Sequence, residues 1–335
     1  MEFYNGNKLL NTKDLNKNTP EIFIVTSNRS AGKTTFFNKH VIDNFKRDGS
    51  QFVVLYRTGY ELSDAHIAFW NDIHDLYFPY DEMTSKPYAK GLYYSLLLNG
   101  ETCGFALSIN QATKLKNRSH VFKNVTTILF DEFQEEYDNY LPGEVEKVRS
   151  IHTSIARRAG EPSRYVKLVL IGNTLNLLNP YYSALHITER IRPNTKFLRG
   201  NGWVCEFNFN SGAANSLKNS IFNSAFDDEY SKYESEGVYL NNSVALIDKP
   251  SGKNSYLLTI TYKGETFGAF FYYDINVIYI SQKYDKNCND VLDYTNSYLN
   301  CSTKHKMMRD FFHRGLIRFS NIGVKEKILS ALSIR

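Results

Sequence analysis

Between the apolar runs EIFIVT and FFNKHVIDNF lies SNRSAGKTT, Ser27 to Thr35. Glycine, lysine and threonine in succession, after an apolar strand pattern and ahead of a helical one, suit the handling of a triphosphate. Backbone N–H groups that curl around phosphate oxygens need a residue where the chain can come close, and Gly32 fills that need. Lys33 places a cation on the β- and γ-phosphates, and Thr34 offers its hydroxyl to Mg²⁺. Ser27, Arg29, Ser30, Ala31 and Thr35 complete the loop as nucleotide-binding candidates. The full pattern is G-x-x-x-x-G-K-[ST], and Ser27 stands at its first glycine. Serine is small enough for that place where its φ permits.

Hydrolysis needs a second half. ILFDE sets Asp131 and Glu132 at the end of an apolar strand, where ligands bind in open α/β sheets. Asp131 is placed for the metal shell, and Glu132 to polarise an attacking water as general base. A glutamate beside the metal-holding aspartate favours hydrolysis over transfer to another substrate, which argues against a simple kinase. IGNT puts Asn173 at the end of a further strand. It reads as a γ-phosphate sensor that positions the water, or as a cap or turn residue. Arg157 and Arg158 follow a helical stretch, at a position suited to reaching across an interface to stabilise transition-state charge. Surface salt bridging is the other reading. Arg29, inside the loop, is a separate candidate, in cis over the phosphates or facing a neighbour.

Such groups need a rigid frame. EIFIVT, QFVVLYR (51–57), VTTILF (125–130) and VKLVLI (166–171) read as buried strands. Helical stretches at 34–47, 62–71 and 144–158 separate them. YYSLLL-NG-ETCGFALSI forms a hairpin around Asn99-Gly100. Apolar strands alternating with helices predict an α/β domain, a parallel sheet with helices on both faces. After residue 197 the pattern changes. GWVCEFNFN is strand-like and 211–226 helical; 231–237 is polar and marks a boundary. SYLLTITY, TFGAFFYYD and NVIYISQ predict an antiparallel meander, closed by helices near 303–315 and 321–332. The division is therefore residues 1–197, a linker over 198–237, and a smaller α+β domain over 238–335.

Bulk properties limit the partners. The 335 residues carry a net charge of +5, and its placement matters more than its size. Residues 302–335 hold eight Lys/Arg against two acids, while 131–146 hold seven acids and no Lys or Arg. This segregation fits a polyanion for one region and a metal or basic neighbour for the other. The four cysteines, Cys103, Cys205, Cys288 and Cys301, include no C-x-x-C pair, so neither a zinc knuckle nor a disulfide framework is expected. No signal peptide and no membrane-spanning run is visible.

S-x-R-x-x-G-K-T, ILFDEF and IGN on one α/β domain resemble viral genome-packaging ATPases, including terminase large subunits. QFVVLYR, TTILFDEF, LPGEV and NPYY, with the chain length, resemble more narrowly the packaging ATPases of small phi29-type podophages. The resemblance covers about 20–182 well and the remainder weakly. It implies a P-loop NTPase of the ASCE type that binds ATP–Mg²⁺ through Gly32, Lys33 and Thr34. Asp131 would hold metal, Glu132 would be the catalytic carboxylate, and Arg157 or Arg158 would act in trans. Ser27 departs from the leading glycine of that family's loop. The C-terminal domain would be RNase H-like without nuclease activity; Asp248 and Asp274, the acids near its strands, form no convincing set. The resemblance further implies a homomeric ring, a pentamer, that moves double-stranded DNA through a viral portal into a capsid. It would act in the host cytoplasm, transiently on the procapsid, with no secretion and no membrane partner. In KLKNRSHVFK, Lys114, Lys116, Arg118 and Lys123 form a basic loop that could grip DNA phosphates. Lys304, Lys306, Arg309, Arg314 and Arg318 could bind DNA, a packaging RNA or the portal. A helicase-like remodeller of single strands and a capsid-associated nucleotide switch are the alternatives.

Overall fold

Residues 4–59, 62–135, 140–157, 163–174, 179–191, 195–208, 246–294 and 302–332 are described by a computed structural model. They fall into two compact units. The first comprises the described parts of Met1–Asn176 and Lys196–Leu240; the second those of Leu177–Thr195 and Asn241–Arg335.

The apolar runs of the first unit become strands β1 (Ile22–Ser27), β2 (Gln51–Tyr56), β3 (Met83–Tyr88), β4 (Tyr93–Leu98) and β5 (Glu101–Ser108). Strands β6 (Val125–Phe130), β7 (Lys167–Asn173), β8 (Phe197–Gly200) and β9 (Trp203–Phe207) follow. They form one nine-stranded sheet in the order β3-β4-β5-β2-β6-β7-β1-β9-β8. Six central strands, β5 to β9 in that order, run parallel. β3–β4 and β8 add antiparallel edges. One strand, β7, stands between the loop strand β1 and the acid-bearing strand β6. The expected hairpin closes at Asn99 and Gly100, both left-handed at φ 51° and 88°, as a two-residue type I′ turn requires.

Helices α1 (Asn7–Asn11), α2 (Lys33–Asp48) and α3 (Ala65–Tyr77) bury their apolar stripes on one sheet face. Phe37, Val41 and Ile42 of α2 and Phe69 and Ile73 of α3 meet Phe23, Val25, Phe52 and Val54 there. Strand residues of the other parity, including Ile24, Val53, Ile128 and Leu170, are buried on the opposite face. Helices α4 (Ala112–Leu115) and α5 (Glu144–Ala156) belong to the cover of that face. Helices on both faces and a parallel sheet match the α/β expectation.

Two expectations need correction. Residue 197 does not end the first unit, because β8 and β9 extend its sheet; pairing of β9 with β1 buries Trp203, Val204 and Cys205. The rest of the expected linker, and the helix at 211–226, lie outside the described residues. KLKNRSHVFK, secondly, is no loop. It is a crossover of α4 and 3-10 turns over Ile109–Gln111 and Lys116–Phe122. It starts beside Tyr56, where Ser108 pairs, and ends beside Gln51, whose N–H bonds the Asn124 carbonyl at 3.0 Å. Ala112, Leu115 and Phe122, all at most 3% exposed, pin it to the sheet. Lys123 therefore lies at the opposite end of the sheet from the start of the crossover, and the four basic residues share no loop.

The second unit holds α6 (Pro180–Ala184), β10 (Asn254–Tyr262), β11 (Glu265–Tyr272), β12 (Val277–Ser281) and β13 (Val291–Asp293). Helix α7 (Thr303–His313), β14 (Ile317–Phe319) and α8 (Ile322–Ala331) close it. The expected meander β10-β11-β12 is antiparallel, and β13 and β14 add parallel edges in the order β13-β10-β11-β12-β14. Its core joins Leu258, Ile260, Phe267 and Ile278 to Met308, Val324 and Ile328.

Candidate nucleotide site

The chain leaves β1 at Ser27, passes through the loop and enters α2 at Lys33. Gly32 is the residue before the helix, at φ 87°, ψ 20°, a conformation that a side chain disfavours. No side chain caps the helix and its first turn holds no acid. Its leading N–H groups and the positive end of its dipole are thus available to an anion. The N-terminal segment props the loop from behind. Tyr4 donates its backbone N–H to the Ala31 carbonyl at 2.9 Å, and its ring meets Phe36 edge-on at 5.7 Å. Ser27, Asn28 and Ala31 are buried, Arg29, Thr34 and Thr35 are half-buried, and Ser30 is exposed at φ 57°.

Parallel pairing of β1 with β7 sets Ser27 beside Asn173. Lys33 Nζ donates to Ser27 Oγ at 2.8 Å, to the Asn28 carbonyl at 3.2 Å and to Asn173 Oδ1 at 3.2 Å. Of the two sequence readings of Asn173, the cap finds no support in these contacts, since the side chain faces the loop lysine. Lys33 is 5% exposed. Burial pulls its pKa down to about 8, against the upward pull of Asp131.

Thr34 Oγ1 donates to Asp131 Oδ2 at 2.7 Å, joining the helix start to the end of β6. A hydroxyl and a carboxylate oxygen this close form the hard-oxygen pair that suits Mg²⁺. Burial pushes the Asp131 carboxyl upward, and the Thr34 hydroxyl opposes the shift. Glu132 is exposed, with φ 52°. Its own N–H bonds Asp131 Oδ1 at 2.9 Å. These carboxylates, Thr34, Arg57, Glu135 and Asp72 line a cleft of about 310 Å³.

The sequence reading missed the group that holds this acidic turn. Arg57 directly follows β2, the strand beside β6, and is 9% exposed. It forms a bidentate pair with Glu144, Nε to Oε2 at 2.9 Å and Nη2 to Oε1 at 3.0 Å, and also binds the Glu135 carboxylate. The same guanidinium donates to the Glu132 carbonyl at 3.3 Å and the Phe133 carbonyl at 3.1 Å. Its plane lies near Phe130 and Tyr140, with ring centroids at 5.3 and 5.5 Å. A cation ending a buried strand, next to the strand with the acids, is the signal that was available: it requires a partner. On the far side, Phe133 N–H bonds the Ile171 carbonyl at 3.2 Å, and Gly172 lets the Phe133 ring lie against β7.

The arginine candidates separate. Arg29 stays within the loop. Arg157 is exposed and follows the last turn of α5. That helix starts at Glu144 beside Arg57, and its 13 residues carry the chain ~20 Å away at 1.5 Å per residue. Arg157 is not brought to the loop of its own chain. Arg158 lies outside the described residues. Lys116 lies in the backbone path of the crossover; Lys114, Arg118 and Lys123 are exposed on it, and these three are not among the residues that line the nucleotide cleft. Among the described residues, no group of three or more His, Cys, Asp or Glu could hold a metal, and no helix is long and apolar enough to cross a membrane.

Known proteins resemble this chain in sequence and fold. The DNA packaging protein of Bacillus phage phi29 is 25% identical over 334 residues, spanning 95% of this chain and 93% of its own. In "The bacteriophage Phi-29 viral genome packaging motor assembly", one chain superposes with a TM-score of 0.65 at 20% identity, covering 98% of this chain and 99% of that one. The crystal structure of the N-terminal domain of the phi29 DNA packaging ATPase superposes with a TM-score of 0.50 at 24% identity, over 62% of this chain and 96% of its own. The profile of the Podovirus DNA encapsidation protein (Gp16) family matches residues 1–330, and the chain belongs to that family.

Proposed function

We propose that this protein is the ATP-hydrolysing motor that moves double-stranded DNA into a preformed viral capsid. The observation that carries the reading is the 2.7 Å contact of Thr34 with Asp131 beside the Lys33–Asn173 pair, in a chain of the DNA encapsidation family. Lys33 and the amides of the loop bind the triphosphate. Thr34 and Asp131 hold Mg²⁺, which when bound neutralises charge on the β- and γ-phosphates. Glu132 orients and deprotonates the attacking water, and Arg57 fixes the backbone from which Glu132 projects. Asn173 senses the γ-phosphate from β7. Arg157 reaches the site of a neighbouring subunit in a homomeric ring docked on the portal, with a packaging RNA as a further partner. The second unit is RNase H-like and makes no cut. The assembly works on the procapsid in the host cytoplasm.

ATP hydrolysis measured with duplex DNA, single-stranded DNA and no DNA tests the reading. Duplex stimulates the motor most; preference for single strands indicates a remodeller, and indifference to DNA a nucleotide switch. Glu132→Gln retains ATP binding and lowers turnover by about 10²-fold or more, the scale of a general base. Incubation of supercoiled DNA with the protein and Mn²⁺ leaves it uncut; nicking overturns the assignment of the second unit.

A further inference from the structure

The β3–β4 hairpin takes no part in the nucleotide chemistry, yet its tip has an unusual construction. From Met83 to Lys123 the chain carries six Lys/Arg and one acid, Glu101. Glu101 opens β5 and pairs with Leu98 at the Asn99–Gly100 end of the sheet. The other end of the hairpin therefore carries no acid. There Tyr88, Ala89 and Lys90 are exposed. Ala89, Lys90 and Gly91 follow one another in left-handed conformation at φ 50°, 59° and 78°. The turn is closed by the Leu92 N–H on the Tyr88 carbonyl at 3.0 Å. Tyr88, 45% exposed, lies flat on Tyr93, with centroids 5.5 Å apart and planes within 5°. Tyr93 is clamped from below by Phe105 and Phe122 at 6.1 and 5.9 Å. Lys86 projects from β3 into solvent. Arg118, exposed on the crossover, bears on the Tyr93 hydroxyl and opposes the upward push of burial.

Two lysines and an arginine flank a tyrosine whose ring is held by a stack rather than by its own flexibility. Backbone recognition of nucleic acid uses such groups: Lys and Arg on phosphate charge, Tyr O–H on phosphate oxygen. Tyr93 pairs with Leu107 and Tyr56 with Ser108, so the tip stands at the strand end where Arg57 and Asp131 sit. β4 lies three strands from β6, ~14 Å away at 4.8 Å per strand. We propose that this tip, Lys86, Tyr88 and Lys90 with Arg118, is a contact surface for the sugar-phosphate backbone of duplex DNA. The assignment rests on the translocase reading and adds the element that touches the cargo. The ladder β4-β5-β2 then connects the DNA contact to Arg57, which holds the backbone of Glu132.

Binding of the full-length chain to a duplex of arbitrary sequence, followed by fluorescence anisotropy across a salt series, tests this. Each phosphate contact contributes about 0.9 to the slope of log K against log salt. Lys86→Ala/Lys90→Ala lowers the slope by about 1.8, while DNA-free ATP hydrolysis stays at the parent rate. Tyr88→Phe keeps the stack and weakens binding without changing the slope. Lys123→Ala, at the opposite end of the sheet, leaves the slope unchanged. An unaltered slope in the double variant, or an equal drop in Lys123→Ala, overturns the assignment and leaves the motor reading standing. A drop confined to single-stranded DNA overturns the duplex as the partner. Absence of duplex binding by the parent chain overturns both.

Discussion

Lys33 links charge to ligand at the level of one side chain. Its pKa of about 8 is set by burial, so a bound triphosphate, bringing negative charge alongside, raises it. ATP binding above pH 8 then takes up a proton, and affinity is flat below that pH and falls above it. Calorimetry at pH 8.5 in buffers of different ionisation enthalpy reads the uptake directly. Lys33→Arg, charged throughout, flattens the profile even where it weakens binding. The folding sign is opposite. Between about 8 and the ordinary 10.5 the unfolded chain holds more protons, so this group adds stability to the nucleotide-free protein as pH rises through that window. Thr34 supplies the parallel metal prediction. Thr34→Val retains binding of nucleotide in EDTA and loses the tightening that Mg²⁺ gives the parent, as measured by titration with a fluorescent nucleotide.

Elements explain why single residues of the acidic turn are so constrained. Glu144 is buried, its side chain 0% exposed, and Arg57 is 10% exposed in its side chain. Glu144→Ala leaves a buried guanidinium with a lost partner and destabilises by about 3–5 kcal/mol in urea unfolding. Arg57→Met/Glu144→Leu together costs less than Glu144→Ala alone, because no buried charge is stranded. Gly172→Ala would place a Cβ 2.8 Å from Phe133. The ring must shift, which costs about 1–3 kcal/mol and moves Glu132, so turnover falls more than nucleotide binding does. The strand–loop–helix unit and the acidic strand end were legible in the sequence because their residues are contiguous. Arg57 was not, since its partner is 87 residues away and only the β2–β6 pairing brings them together. The edge strand β3 also escaped, being polar and holding Pro87, and three-residue strands such as β13 carry too little pattern to see. KLKNRSHVFK was read by its charge; its sparse apolar residues, Leu115 and Phe122, decide its path instead.

At the scale of the whole molecule, the question is which chain completes which site. Arg157 follows the far end of α5, ~20 Å along the helix from the Arg57–Glu144 pair, and cannot serve the loop of its own chain without unfolding that helix. A ring of identical subunits joined head to tail puts different surfaces of neighbouring copies in contact, so an arginine at one end of a sheet can meet the loop of the next copy. Arg157→Ala then binds ATP normally and loses DNA-stimulated turnover by about 10³-fold or more, the scale of a trans-acting arginine. Glu132→Gln loses turnover for a different reason. Mixed in equal amounts before assembly, the two variants generate interfaces in which an intact Glu132 faces an intact Arg157, about a quarter of the total in a head-to-tail ring. Activity on mixing therefore rises well above the residual rate of either variant alone. Were Arg157 to act within its own chain, every active site in the mixture would still lack one of the two groups, and mixing would restore nothing. The same experiment with Arg158→Ala and with Arg29→Ala decides the other two candidates: a residue that works in cis gives no recovery with Glu132→Gln, and one that faces a neighbour does.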